Sequence, residues 1–149
     1  MTESENWLDA LAADARDADT YSPLALAFLG DALFELIVRT KIARDGNTQV
    51  NRMSKRCTAL VNAGAQARMA AYLEPGLSPE EAAAFRRGRN AKPATLAKNA
   101  KPADYHMATA LESLVGYLYL KGQASRAAKL VEAGVGWALG QGAASEVSE

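Results

Sequence analysis

The segment 24–38 is an almost uninterrupted apolar run, and it constrains the fold more than any other part of the chain. The run is too long for a typical strand. It follows a helix-start signal, with Ser22 as the N-cap and Pro23 at the first helical position. We therefore predict a buried helix that continues to about Arg44. A second nearly apolar run, 103–120, predicts a second buried helix.

No segment alternates between apolar and polar residues at period two, as a strand with one buried face would. The predicted fold class is all-α, with two central buried helices, 24–44 and 103–120, wrapped by amphipathic helices. Those outer helices are expected at 6–16, from Thr48 to about 61, at 65–72, at 78–87 and from 124 to about 139, with a long loop at 89–101. The organisation predicted is an acidic, partly helical segment at 1–20, one domain at 21–140 and a frayed tail at 141–149.

Three compositional features exclude other classes of protein. No run reaches the roughly 18 uncharged apolar residues that cross a bilayer, and the acidic start is unlike a secretory signal. Cys57 is the only cysteine, which excludes an intramolecular disulfide and favours a cytosolic location. Cys57 and His106 are too few ligands for a zinc site. Counting leaves a catalytic Cys–His pair open, but neither residue lies in a recognisable motif.

Charge is distributed unevenly along the chain. The whole chain is neutral, with 17 basic and 17 acidic residues. Residues 1–20 carry a net charge of −5, whereas residues 86–101 carry +6 with no acid. Binding of a polyanion depends on such local patches more than on the average charge.

Two acids interrupt the apolar runs and are the first candidates for chemistry. Asp31 follows Gly30 in the first run, and Glu112 precedes Gly116 by one turn in the second. The two glycines would allow the helices to approach closely and bring the acids together. Carboxylate oxygens are the ligands that Mg²⁺ prefers, so the pair is a candidate metal site. The alternative is that the acids form structural ion pairs, for example with Arg39, or point into solvent.

Supporting roles are expected for two residues near the acids. Glu35 lies four residues after Asp31 and so shares its helix face. Thr109 lies one turn before Glu112.

The basic segment 86–101 is the second candidate site. Arginine and lysine suit phosphates, and asparagine reaches ribose hydroxyls or base edges. The residues predicted to bind nucleic acid are Arg86, Arg87, Arg89, Asn90, Lys92, Lys98, Asn99 and Lys101. The alternative is a solvated charged surface. A second basic cluster, Arg52, Lys55 and Arg56, has the helical spacing of a solvated face.

At these motifs the chain resembles a known family. Segment 26–35 (LAFLGDALFE) resembles the signature of ribonuclease III, and segment 111–120 (LESLVGYLYL) is similar to its second acidic segment. The stretch 87–92 (RGRNAK), followed by 98–100 (KNA), is similar to a hallmark of Mini-ribonuclease III, which lacks a double-stranded RNA-binding domain. The resemblance covers about Ser22 to Leu130.

The resemblance implies a homodimer of all-helical endonuclease domains that cleaves double-stranded RNA. Asp31 and Glu112 would be the catalytic residues and the ligands of a divalent metal, Mg²⁺ with Mn²⁺ as an alternative. The products would carry 5′-phosphate and 3′-hydroxyl ends. The expected substrate is the precursor of large-subunit (23S) ribosomal RNA, in a bacterial or organellar cytosol.

The chain also departs from the larger ribonucleases III. Those proteins carry acids at the positions of Leu24, Ala27 and Thr109, and Mini-ribonucleases III share the losses. The number of metals per site therefore stays open. Two other functions stay open at this stage: a non-catalytic RNA-binding subunit of the same fold in ribosome assembly, and a helical protein-interaction module.

Overall fold

The structure, a computed structural model, describes residues 7–15, 17–93 and 101–148, with side chains through Gln141. Within these residues the chain forms seven α-helices and no strand, which confirms the all-α prediction. The helices are α1 (Trp7–Ala13), α2 (Pro23–Arg44), α3 (Val50–Val61), α4 (Ala63–Leu73), α5 (Pro79–Arg89), α6 (Pro102–Leu120) and α7 (Ala124–Ser148). No described helix is both long and apolar enough to cross a membrane.

Side-chain caps fix where two of the helices begin. The Ser22 hydroxyl accepts a hydrogen bond from the Ala25 N–H at 3.1 Å, and Pro23 occupies the first helical position of α2. At α5, the Ser78 hydroxyl accepts from the Glu81 N–H at 3.2 Å, and the Glu81 carboxylate accepts from the Ser78 N–H at 3.0 Å. These contacts satisfy N–H groups that have no partner inside the helix. Both starts were predicted from the sequence and are confirmed.

The bounds of three other helices were predicted wrongly. Helix α1 is shorter than 6–16, ending at Ala13. Helix α3 begins at Val50 and not at Thr48, because the backbone is still extended at Gln49. Helix α4 begins at Ala63 and not at Ala65, since the Asn62 side chain accepts from the Ala65 N–H at 2.8 Å and caps the helix there.

Two C-terminal ends also lie beyond their predicted positions, and both errors come from glycines. Helix α5 continues through Gly88 to Arg89. Helix α7 continues past Leu139 and Gly140 to Ser148. A glycine costs a helix only about 1 kcal/mol relative to alanine, so it does not by itself end one. The predicted loop therefore begins after Arg89.

Helix α6 lies at the centre of the fold. Its side chains from Ala108 to Leu118 are buried apart from Glu112, and α2, α4, α5 and α7 all pack against it. Helix α2 is central as predicted, but only one of its faces is buried. The opposite face leaves Phe28 80% exposed and Leu36 50% exposed, so α2 is less buried than its apolar run predicts.

Helices α2 and α6 touch backbone to backbone at two glycines. A Cβ atom added to Gly30 would overlap the carbonyl oxygen of Glu112, and one added to Gly116 would overlap the carbonyl oxygen of Leu26. Any other residue at either position would push the helices apart. The close approach predicted from Gly30 and Gly116 is therefore confirmed.

Polar contacts from α6 and α7 attach the start of α5 to the rest of the fold. Arg126 of α7 donates from Nε and Nη2 to the two oxygens of buried Glu81, at 2.8 and 3.0 Å. The Tyr117 hydroxyl of α6 donates to Glu80 at 2.7 Å. A bidentate arginine–carboxylate pair fixes orientation as well as distance. Together they hold α5, and the arginines at its end, in a defined position.

We predict that Gly30→Ala destabilises the protein by at least about 1–3 kcal/mol, the usual cost of forcing extra volume into a packed interior. The reason is that the added methyl group has no room against the α6 backbone. Urea unfolding measures the free energy directly. The matched control is Gly136→Ala in α7, where a Cβ meets nothing within 4 Å. That variant should be unchanged or slightly more stable, and equal losses in both would contradict the close-approach interpretation.

Candidate functional site

The α2–α6 crossing brings the two predicted acids together. Asp31 directly follows Gly30, and Glu112 supplies the carbonyl oxygen against which Gly30 packs. The two side-chain carboxyl groups interact directly. Asp31 is exposed, whereas Glu112 is partly buried. Asp31 is therefore the solvent-accessible member of the pair.

The environment of Glu112 disfavours its charged form. Burial raises the pKa of Glu112 to about 8, with the hydrogen bond to Asp31 and the negative charge of Asp31 contributing in the same direction. The Gln66 side chain opposes this increase. Two like charges held together in a partly buried place are costly unless a cation compensates them. Among the residues that the structure describes, no basic side chain compensates the charge of this carboxyl pair.

The two predicted supporting residues differ in how they relate to the acidic pair. Glu35 accepts a hydrogen bond from Arg39 at 2.9 Å, in an exposed ion pair one turn along α2 from Asp31. Thr109 is buried in α6, one turn before Glu112. Across the part of the chain that the structure describes, no group of three or more Asp, Glu, His or Cys side chains could hold a metal. The acidic site therefore consists of two carboxyl groups, those of Asp31 and Glu112.

Sequence reasoning missed one residue of this site, Gln66 of α4. Its side chain is buried, with 3% of its surface exposed, and it interacts with the Glu112 carboxylate. A signal for it was present in the sequence. Gln66 shares a helix face with Met69 and Leu73, at spacings of three and seven residues, so a polar side chain stands in an otherwise apolar stripe.

Three of the basic residues predicted to bind RNA lie at the end of α5, and one of them, Arg89, was predicted to lie on the loop. Arg86 and Arg87 are exposed there, and the Arg87 guanidinium lies 5.7 Å from the centre of the Tyr117 ring. Arg89 forms an ion pair with Glu74 at 3.1 Å, which partly neutralises it. Gly88 packs against Ala110 and Ser113, so this basic turn lies beside the turn of α6 that carries Glu112.

The other residues predicted to bind RNA follow α5 in the sequence. The side chains of Asn90, Lys92 and Lys101 are exposed. Lys98 and Asn99 lie outside the described residues. Of the second basic cluster, Arg52 and Lys55 are exposed on α3 and Arg56 pairs with Asp45 at 2.8 Å, as expected for a solvated face.

Comparisons with known proteins agree with this architecture. A family model described as "Ribonuclease III domain" matches residues 24–123. A Mini-ribonuclease 3 of Symbiobacterium thermophilum is 45% identical over 114 residues, which cover 76% of this chain and 88% of that protein. A Mini-ribonuclease 3 of Brevibacillus brevis is 44% identical over 117 residues, which cover 78% and 87%. The X-ray crystal structure of a protein from Fusobacterium nucleatum matches with a TM-score of 0.70 and 32% identity, covering 83% of this chain and 96% of that one.

The helical fold and the matched domain define an endoribonuclease of the ribonuclease III class. Within that class, the chain belongs to the Mini-ribonuclease 3 family. The resemblance on segments 26–35, 111–120 and 87–92 is thereby confirmed.

The pKa of Glu112 yields a prediction for the stability of the metal-free protein. Between about pH 4.5 and 8 the unfolded chain ionises this group while the folded chain keeps it protonated. The folded state then binds more protons, so this group makes the free energy of unfolding fall as pH rises. We predict that Glu112→Gln raises the melting temperature at pH 8 in EDTA and has little effect at pH 5. The increase should be about 2–4 °C for each kcal/mol by which the free energy of unfolding rises.

Thermal unfolding followed by circular dichroism checks this, with Asp14→Asn as the control, since Asp14 is exposed just after α1. The control should show no such dependence on pH. An equal effect of Glu112→Gln at both pH values would contradict the predicted strain at the acidic pair.

Proposed function

We propose that this endoribonuclease cleaves double-stranded RNA with a divalent metal, Mg²⁺ or alternatively Mn²⁺, held by Asp31 and Glu112. The observation that carries the proposal is the α2–α6 crossing, which brings two carboxyl groups together where no described basic side chain compensates them. Carboxylate oxygens are the donors that these hard cations prefer, so the residues fit the metal. The small number of protein ligands leaves the rest of the metal's shell to water and RNA phosphate.

The reaction is a hydrolysis of one phosphodiester bond. Water attacks phosphorus, the bond from phosphorus to the 3′ oxygen breaks, and that oxygen takes a proton. The products are 5′-phosphate and 3′-hydroxyl ends. When bound, the cation supplies the positive charge that stabilises the reacting phosphate and lowers the pKa of the attacking water. Asp31 and Glu112 contribute ionised oxygens in a fixed relative position, set by backbone packing and so retained while RNA binds.

The surface at the end of α5 is proposed to bind the phosphates of the duplex. Arg86 and Arg87 are exposed, of one sign, and attached to the scaffold that carries Glu112. Double-stranded RNA is recognised mostly by shape, through phosphates and minor-groove hydroxyls, and not by base edges. Lys92 and Lys101 extend this surface, and Asn90, Lys98, Asn99 and Arg89 stay predicted contacts.

A homodimer is proposed to assemble on the exposed apolar face of α2. Phe28, Leu24 and Leu36 lie on this face, and Trp7 and Leu11 of α1 are also exposed, at 61% and 64%. Large contiguous apolar surfaces on a protein mark interaction sites. A dimer would also place two acidic pairs on one RNA duplex, as the family resemblance implies.

The natural substrate is proposed to be the precursor of large-subunit ribosomal RNA, in the cytoplasm. This rests on the family resemblance, which implies that role. The mapped ends of cellular ribosomal RNA, with and without the protein, test it.

We predict that Asp31→Asn and Glu112→Gln each reduce cleavage of a structured RNA duplex by more than about 100-fold, since even an outer partner of a metal ligand typically contributes 10–100-fold. Wild type should cut with Mg²⁺ and not in EDTA. Glu132→Gln is the control and should cut normally. Equal cleavage by all variants would contradict the assignment. A wild-type protein that binds the duplex without cutting it would favour a non-catalytic RNA-binding role.

We predict that the double variant Arg86→Ala/Arg87→Ala weakens duplex binding and lowers the salt dependence. The slope of log affinity against log salt concentration should shrink by about 1 for each phosphate that the variant no longer neutralises. Filter binding in EDTA measures this without cleavage. The charge-matched control is Arg52→Ala/Lys55→Ala on α3. If the two double variants lose the same affinity, the α5 surface has no special role.

We predict that Phe28→Asp converts a dimer into monomers, because a carboxylate cannot be buried in an apolar interface without a partner. Sedimentation velocity measures the mass. Val50→Asp is the control, since Val50 is 73% exposed on α3. A monomeric wild type, or a dimeric Phe28→Asp protein, would refute this interface.

A further inference from the structure

Gln66 is a buried polar side chain that packing alone does not require. It lies on α4 with 3% of its surface exposed. Its Nε2 group is shielded from water and makes no hydrogen bond to the residues that the structure describes. Met69 and Leu73, on the same face of α4, pack against Gly134 of α7. An apolar residue would suit this stripe, because an unpaired amide costs free energy when it leaves water.

The group that Gln66 reaches is the Glu112 carboxyl. Helix α4 packs against α6, and the Gln66 side chain interacts with Glu112 closely enough to lower the pKa of that carboxyl, against the effects of burial and of Asp31. It thus favours the ionised form. The amide is in reach of the carboxylate, yet its Nε2 is not aligned in a direct hydrogen bond. One acid of the site therefore has Asp31 on one side and an unsatisfied amide donor nearby.

The chemistry of an amide limits what Gln66 can do here. It does not titrate near neutral pH, so it cannot act as an acid or a base. Its N–H groups can donate to a carboxylate, and carboxylates that hold metals are commonly oriented by such donors. An ionised Glu112 accepts this hydrogen bond better than a protonated one. The donor thus fits the charged state that cation binding requires.

We propose that Gln66 is a positioning residue, whose side-chain amide donates to the Glu112 carboxylate and holds it towards Asp31 in the state that binds the cation. This rests on the proposed function of Asp31 and Glu112 as metal ligands. The amide is buried with no hydrogen-bond partner among the described residues, and the Glu112 carboxyl is an acceptor close to it. Gln66 thereby contributes to cation affinity and not to the stability of the metal-free fold.

The test is Gln66→Met in the full chain, which keeps the length of the side chain and removes the amide. Binding of Mn²⁺ alone, followed by the electron paramagnetic resonance signal of the free ion, should weaken about 10–100-fold. The melting temperature in EDTA should stay the same or rise, because an unpartnered polar group leaves an apolar place. Cleavage should recover towards the wild-type rate at high Mg²⁺.

The matched control is Met69→Leu, a volume-conserving change one turn away on the same face of α4. It should leave Mn²⁺ affinity unchanged. Unchanged Mn²⁺ affinity of Gln66→Met would overturn the positioning role. So would a metal-free protein that melts lower or does not fold, because Gln66 would then be structural. If wild type binds no Mn²⁺, the metal site and this inference both fall.

Discussion

The contact between the backbones of α2 and α6 is the constraint on which the rest of the structure depends. Gly30 and Gly116 leave no space for a Cβ atom at the crossing. Helix pairs ordinarily lie about 8–10 Å apart with side chains between them, so such direct contact needs glycine on both sides. The remaining helices then pack around α6, and the positions adjacent to the crossing are held relative to one another by main chain. Asp31 and Glu112 occupy two of those positions.

The carboxyl pair lowers the stability of the folded protein, because two acids are held close together in a partly buried place. Helix packing holds two carboxyl groups together, and burial raises the pKa of Glu112 to about 8, with the hydrogen bond to Asp31 and its charge acting in the same direction. No basic side chain among the described residues pairs with either carboxyl group, so the proposed cation would supply the missing positive charge. By contrast, the other buried acid, Glu81, has its charge matched by Arg126 in a bidentate pair, and the pKa of Glu81 is lowered. The fold thus contains one buried carboxylate that is paired within the protein and one pair of carboxyl groups that forms the proposed metal site.

Much of this could be predicted from sequence, for reasons that particular residues show. The apolar run after Ser22-Pro23 required a long helix, and glycines beside both acids pointed to the crossing. Exposure could not be predicted in the same way. The run that contains Phe28 is as apolar on its outer face as on its inner one, so the pattern does not reveal which side faces the core. Gly88 resembled a helix end, but it lies inside α5 and packs against α6. The role of Gln66 depends on which helix packs against α4, which periodicity does not specify.

The central claim is that Asp31 and Glu112 together hold the divalent metal. Anomalous diffraction from crystals grown with Mn²⁺ tests it most directly, with an Asp31→Asn crystal under the same conditions for comparison. The claim predicts an anomalous peak within about 2.0–2.2 Å of oxygens from both carboxylates, the usual range for small hard cations and carboxylate ligands, and its loss in the variant. A peak elsewhere, or no peak between these residues in a protein that cleaves RNA under the same conditions, would contradict it.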